Sequence, residues 1–567
     1  MLSKTNSSIF FPQTFKCTII LLCLLLFSHH FTASAQVADK LVTGKIWTGN
    51  AAQPWADAMA IYVDKIIAVG TEKELKPFTN KKTLLIKAAK GQLIVPGFID
   101  NHTHFIDGGY MMASVQLRDA KTPAEFIQRI EEYAKTVTPG TWIMGGNWDH
   151  KNWNGELPDK SWIDSVTKNN PVWINRVDGH MGLANSVALQ IAGITAATPD
   201  VSGGSIERKN GQPTGLLIDN AEELVQRAVP DPSAEIKDRA MDAAMKYVAS
   251  NGVTSVVSLT GIGVNNYLDV FQRAHDQHRQ ITRVYGAMML TNWKQLADKI
   301  KETGRGDNWL TIGIVKGFMD GSLGSHTAAF KHPFTDAPSD SGLLVVQRDT
   351  IYQLVKAADS AGLQVTVHAI GDRSIHMLLD IYEKVENLNG NRDRRFRMEH
   401  AQHLDTADIK RFAQLKVIAS MQPYHAIDDG RWAEKVIGHE RAKHSYAFRE
   451  LLNAKTTLAF GSDWFVAPAA PLLGIYAATT RRTLDGKNPD GWIPEQKITV
   501  QEALKAYTID GAYAIFQEKN RGSLEKGKLA DFILLDKDIT EIAPAIINSV
   551  KVLKTFVGGK MVYALPR

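Results

Sequence analysis

The run Leu93-Ile94-Val95-Pro96-Gly97-Phe98-Ile99-Asp100-Asn101-His102-Thr103-His104 decides how this chain is read. Its apolar opening predicts a buried strand over Leu93–Phe98, running into two histidines at positions i and i+2. Alternate side chains on a strand share a face, so His102 and His104 point the same way at the strand's C-terminal end. Two converging imidazoles are suited to a divalent metal. The alternative is a pair of polar residues where a strand frays, so the missing ligands must be sought elsewhere in the chain.

Working outward, strand-like runs alternate with helical patterns. After Leu93–Phe98 they are Val253–Leu259, Thr282–Met289, Thr311–Phe318, Gln364–Ala369, Phe396–His400, Val417–Met421 and Thr457–Gly461. Segments such as Ala234–Ser250, Ile351–Ala361 and Val500–Phe516 carry apolar residues at helical spacing. Eight strands alternating with helices predict an α/β fold, a (β/α)8 TIM-like barrel over residues 93–516. The interval from about 106 to 245 is too long for one crossover and predicts an inserted subdomain after the first barrel strand. It is rich in tryptophan, and Trp148 and Trp153 read either as apolar walls of a site or as core. Residues 36–92 and 517–567 are both β-rich, which predicts one small β-sandwich domain built from the two termini.

Composition is that of an ordinary globular protein: 567 residues, 44% hydrophobic and 22% charged. A net charge of +5 is too mild to argue for nucleic acid or an anionic membrane. The basic cluster Arg392, Arg394, Arg395 and Arg397 reads as a solvated loop. Residues 1–35 read as a signal peptide: Lys4 and Lys16, an apolar stretch from Thr18 to Phe27, then Ala33-Ser34-Ala35 before Gln36. That predicts export to the periplasm or the extracellular space, with no membrane association after cleavage. Both cysteines, Cys17 and Cys23, fall in this segment, so the mature chain would have neither disulfides nor thiolate ligands. Removing two lysines and no acids takes the net charge from +5 to +3.

In a barrel the catalytic groups sit at the C-terminal ends of the strands. Read there, the fourth strand carries Lys316, a cation whose burial disfavours its charged form. It reads either as a lysine carbamylated into a bridging carboxylate or as one paired with an acid such as Asp320. The fifth strand ends at His368, the sixth at Glu399-His400, and the eighth at Gly461-Ser462-Asp463. Gln422 and His425 follow the seventh and could line the site. The glycine-rich loop after Lys316 lacks the Gly-Lys-Ser/Thr ending of a phosphate cradle. A carbohydrate-active barrel with paired carboxylates leaves the histidines unexplained.

These motifs resemble the metal-dependent amidohydrolase superfamily, within amidohydrolase family 3, the YtcJ-like group. The resemblance rests on Pro96–His104, Lys316 with Asp320-Gly321, His368-Ala369-Ile370-Gly371-Asp372, Glu399-His400-Ala401-Gln402 and Gly461-Ser462-Asp463-Trp464. Asp178-Gly179-His180 with Asn185-Ser186, and Gly527-Lys528-Leu529-Ala530-Asp531, extend it over nearly the whole chain. It implies His102 and His104 at one metal, His368 and His400 at a second, Lys316 bridging as a carbamate, and Asp463 contacting metal and water. One or two ions, zinc foremost, are implied. Asp463 would act as general base and then acid, and His180 would stabilise the oxyanion. Asp178, Asp320, Gln422 and His425 are expected at the substrate. Family members commonly carry glutamate where this chain has Asp219. The expected reaction is hydrolysis of a non-peptide carbon–nitrogen bond in a small amide. Cyclic amides, urea-type bonds, deamination targets and esters are alternatives, and a non-catalytic binding or regulatory protein is another. Oligomeric state and substrate identity are not legible.

Overall fold

The computed structural model describes residues 36–176, 181–201, 204–259 and 267–566. Eight parallel strands run in chain order around a barrel: β1 (Phe98–Thr103), β2 (Val253–Ser258), β3 (Arg283–Met289), β4 (Leu310–Phe318), β5 (Gln364–Ala369), β6 (Arg397–His400), β7 (Ile418–Met421) and β8 (Leu458–Phe460). The expected (β/α)8 architecture is present, and seven strands lie within a residue or so of where the sequence placed them.

The first strand needs correction. The apolar run from Leu93 is two strands in series. Leu93–Pro96 pairs antiparallel with Phe532–Leu535 in a different sheet, and the barrel strand starts only at Phe98. The break is at Gly97, whose N–H reaches Asp531 O at 2.9 Å, while Phe98 N–H reaches Gly252 O at 3.0 Å. Continuous hydrophobicity cannot reveal this change of partner, because both segments are fully buried.

Strands from the two termini join one eight-stranded sheet. Its order is Lys560–Ala564, Val552–Val557, Phe532–Leu535, Leu93–Pro96, Lys40–Trp47, Trp55–Tyr62 and Lys65–Gly70, with Leu84–Lys87 also pairing Lys40–Trp47. A buried ion pair ties this sheet to the barrel: Arg283 of β3 donates to Asp531 through Nε (2.7 Å) and Nη2 (2.8 Å). Between β1 and β2 the chain builds a six-stranded sheet spanning Val115 to Asp219. That sheet has its own core, in which Phe126 packs against Trp148 and Trp153. The two tryptophans are therefore core, not walls of a site.

In chain order helix α1 (Phe105–Ala113) precedes this sheet and helix α2 (Ala234–Ser250) follows it, and both pack on the barrel core. Ser233 caps α2 by accepting from Ile236 N–H. The helices touch backbone to backbone at Gly109, where a Cβ would lie 2.2 Å from Ala240 O. A third helix, α3 (Pro423–Asp429), follows β7 and carries side chains into the barrel mouth. Among the described residues no helix is long and apolar enough to cross a membrane. The expected signal segment, residues 1–35, lies outside the described residues.

Candidate metal centre at the barrel seam

Backbone bonds beyond the end of β8 bring it against β1. Asp463 N–H donates to His102 O (2.8 Å), and His104 N–H donates to Trp464 O (2.6 Å). The approach is so close that a Cβ on Gly461 would stand 2.5 Å from His102 N. Below it, the buried Asp100 accepts from Ser462 Oγ (2.6 Å) and Ser462 N–H (2.9 Å). Burial pushes the Asp100 carboxyl up to about 7 against these donors.

This seam assembles the site. His102 and His104 share a face as alternation requires, and both aim Nε2 at Asp463 Oδ1, at 3.3 and 3.1 Å. The other Asp463 oxygen lies 4.0 Å from His425 Nε2 on α3. The His400 ring stands 4.8 Å from that of His102 and 4.4 Å from that of His368. Asp463 and His400 both hold left-handed backbone (φ 61° and 73°), uncommon for residues with a Cβ. The turn at His400 brings it to the cavity beside the interior side chains, although neighbouring strand residues should face opposite ways. Lys316 and Phe318 alternate correctly on β4, the Lys316 Nζ lying 5.0 Å from the Phe318 ring centre. All open on a cavity of about 410 Å³ that includes His102, His104, Lys316, His368, His400 and Asp463. A larger hollow of about 610 Å³ lies where β4 and β5 begin, but no histidine lines it.

The donor set fits a divalent cation. His102 Nε2, His425 Nε2 and Asp463 Oδ1 are buried without a hydrogen-bond partner among the described residues. Two groups converge within coordinating reach, His102–His104–Asp463 and His400–His425–Asp463. Burial, reinforced by Lys316, pushes the His102 imidazole down to about 4 and that of His368 to about 3. His400 is likewise held well below its ordinary value by burial and its neighbouring imidazoles. The rings are thus neutral near pH 7, with lone pairs open to a metal. Burial opposes ionisation of Asp463, but His102, His104 and His425 prevail and hold it well below the ordinary carboxylate range. Burial also lowers Lys316 to about 8 despite Glu399 and Asp463.

Several expectations change here. Asp320 does not pair with Lys316 and does not line the cavity. Its buried carboxylate accepts from Ala329 N–H (2.8 Å), Ile370 N–H (3.0 Å), Gly371 N–H (2.9 Å) and Ser374 Oγ (2.7 Å). Four donors occupy its acceptor sites, so its work is to hold the loops after β4 and β5 together. Gln422 is fully buried beneath the histidines and accepts from His400 Nδ1 at 2.8 Å, which makes it an orienting group and not a substrate contact. His425 does line the cavity, within the second converging group. His368 turns Nε2 to Gly321 O at 3.0 Å, leaving Nδ1 as its open nitrogen. The arginine cluster is not a solvated loop: Arg394 and Arg397 are buried, paired with Asp359 and Glu399. Asp178 and His180 lie outside the described residues.

Glu399 is the supporting residue that sequence motifs did not assign. It accepts from His102 Nδ1 at 2.6 Å, from Arg397 Nε at 2.9 Å and from Thr366 Oγ1. Burial would raise it, but Arg397 and His102 hold it ionised. Its signal was a carboxylate on the inward face of a barrel strand two residues after an arginine, but only the fold shows that His102 is its partner.

A parallel barrel with imidazoles and a carboxylate converging at its strand ends defines the architecture of a metal-dependent hydrolase. The amidohydrolase family model matches residues 86–563, and the chain belongs to that family. It is 43% identical to the protein LONG AFTER FAR-RED 3 of Arabidopsis thaliana over 93% of this chain and 92% of the relative. It is 33% identical to the YtcJ protein of Bacillus subtilis over 89% and 96% of the two chains. The N-substituted formamide deformylase of Arthrobacter pascens matches at 28% over 92% and 98%. A metal-dependent hydrolase from Pyrococcus furiosus superimposes with a TM-score of 0.72 at 27% identity, over 88% of this chain and all of that one.

Proposed function

We propose that this chain hydrolyses a non-peptide carbon–nitrogen bond, an amide, in a small molecule. The observation that carries the reading is Asp463: an ionised carboxylate at the wall of a cavity, within 3.3 Å of the Nε2 atoms of His102 and His104, on strand ends where imidazoles converge. The name of the Arthrobacter relative supports the amide class. His102, His104, His368 and His400 would hold one or two divalent ions, zinc foremost, with Lys316 bridging once its amine has added carbon dioxide and released a proton. The lowered pKa of Lys316 supports that addition by leaving a share of free amine near neutral pH. When bound, such an ion supplies Lewis acidity, making water a better nucleophile and a carbonyl a better electrophile.

The chain's own residues move the proton. Asp463 takes it from the attacking water onto a carboxylate oxygen and delivers it to the amide nitrogen as the carbon–nitrogen bond breaks. Glu399, behind His102, keeps that ring's proton on Nδ1 and its Nε2 open. The resemblance assigns the oxyanion contact to His180. Export is also proposed, on residues 1–35, and a mature N-terminus at Gln36 found by mass spectrometry of secreted protein would test it.

The decisive variant is Asp463→Asn, assayed with zinc-loaded protein on N-formyl and N-acyl amides. Turnover should fall by about 10²- to 10⁴-fold while the fold persists. Hydrolysis close to wild type would refute the role.

A further inference from the structure

The end of the cavity furthest along α3 holds a carboxylate that the proposed reaction does not use. Asp429 lines the same cavity as the histidines, together with Asp428, Trp432, Gln402 and Phe318. Its neighbour Asp428 is neutralised locally by Arg431. Asp429 is not: among the described residues no lysine or arginine comes within ion-pairing distance of it. It is nonetheless held in place. Its Oδ2 accepts from Tyr446 Oη at 2.5 Å and from Gln402 Nε2 at 3.1 Å. Those donors are themselves fixed, because Gln402 and Tyr446 also bond to each other through side chains, and Tyr446 N–H reaches Gln402 O at 2.6 Å. Tyr446 is fully buried, and its carbonyl accepts from the buried Arg481 at 3.1 Å.

Both donors converge on one oxygen and leave Oδ1 without a donor among the described residues. Burial raises the Asp429 carboxyl, opposed by the nearby His425 and by these two hydrogen bonds, so a cation arriving at Oδ1 would favour the ionised form. Trp432 lines the same cavity, and an aromatic ring there would add to the attraction for a cation. Resting on the amide-hydrolase reading, we infer that Asp429 is a specificity residue, and that the substrate is an amide bearing a positively charged amino group that binds Asp429 Oδ1. The scissile carbonyl would lie at Asp463 and the ammonium at Asp429, elsewhere on the lining of the same cavity.

The test is a matched set of N-formyl alkylamines and alkyl amides, each with a terminal ammonium or with the methyl group that replaces it. With zinc-loaded wild-type protein, kcat/KM should favour the ammonium member by about tenfold or more, mostly through KM. In Asp429→Asn, which keeps an oxygen for Tyr446 and Gln402, that ratio should fall toward one. Calorimetric binding of the same compounds reads the inference independently of turnover. Ammonium-selective binding lost in Asp429→Asn, without hydrolysis of any amide, would uphold the binding site and overturn the amide-hydrolase reading. Equal kcat/KM and equal binding of ammonium and methyl compounds by the wild type would overturn the inference whether or not the variant folds, as would full selectivity in a folded Asp429→Asn.

Discussion

Replacing Glu399 with glutamine tests the electrostatic logic of the site. Glu399 is fully buried on β6. One oxygen faces His102 Nδ1 at 2.6 Å, and the other accepts from Thr366 and from Arg397 at 2.9 Å. A carboxylate can only accept, so His102 keeps its proton on Nδ1 and turns a lone pair at Nε2 toward Asp463. Glutamine has one accepting oxygen. Arg397 is an obligate donor on one side, so the accepting oxygen stays there and the new NH₂ faces His102. The ring then accepts at Nδ1 and carries its proton on Nε2, where a metal needs the lone pair. Loss of such a supporting carboxylate costs about 10- to 100-fold in metal affinity, or about 1.4–2.7 kcal/mol. Arg397, also fully buried, keeps Asn101 O (2.6 Å) and Ser420 Oγ (2.9 Å) but loses its counter-charge. Breaking a buried pair in this way costs about 3–5 kcal/mol of stability. The two effects separate experimentally. Calorimetric titration of chelator-stripped protein with zinc reads the first, and thermal unfolding without metal reads the second. A folded Glu399→Gln protein that binds zinc as tightly as wild type would refute the tautomer argument.

Two further outcomes follow from the packing. Asp531→Asn leaves Arg283 buried without its carboxylate and should cost about 3–5 kcal/mol in unfolding of the metal-free protein. Burial would raise Asp531, but Arg283 lowers it. Its contribution is therefore complete above the unfolded value of about 3.9 and lost as pH falls through the lower folded value. The gap between wild type and variant should close in that acid range, and a gap that persisted to pH 2 would contradict the pair's role. Gly461→Ala sets a methyl 2.5 Å from the His102 backbone nitrogen, so the seam must open. Thermal stability and zinc affinity should fall together, whereas a variant matching wild type in both would show that the seam tolerates the group.

Much of the site was legible because its chemistry is local to strand ends. His102 and His104 follow from alternation alone, and Lys316, His368, His400 and Asp463 stand out as polar groups closing apolar runs. Other features were illegible for a physical reason. Leu93–Phe98 reads as one strand because buried strands look alike whichever sheet they join. Asp320 and Gln422 look like site residues in sequence, yet their side chains are consumed by Gly371 N–H, Ser374 and His400. Arg397 looked solvated in a run of arginines, yet it balances Glu399 inside the barrel.

The sequence by itself determined which residues carry chemistry and the order in which strands present them, because hydrophobic periodicity and residue type are written along the chain. Only the tertiary structure decided which groups meet. His102 and Asp463 are more than 350 residues apart, and their contact exists because β1 and β8 close a ring at Gly461. Glu399 selects the tautomer of a histidine on another strand, and Asp429 joins the same cavity lining as Asp463 through a helix that follows β7. Such pairings depend on distance and burial, and neither is encoded in any local stretch.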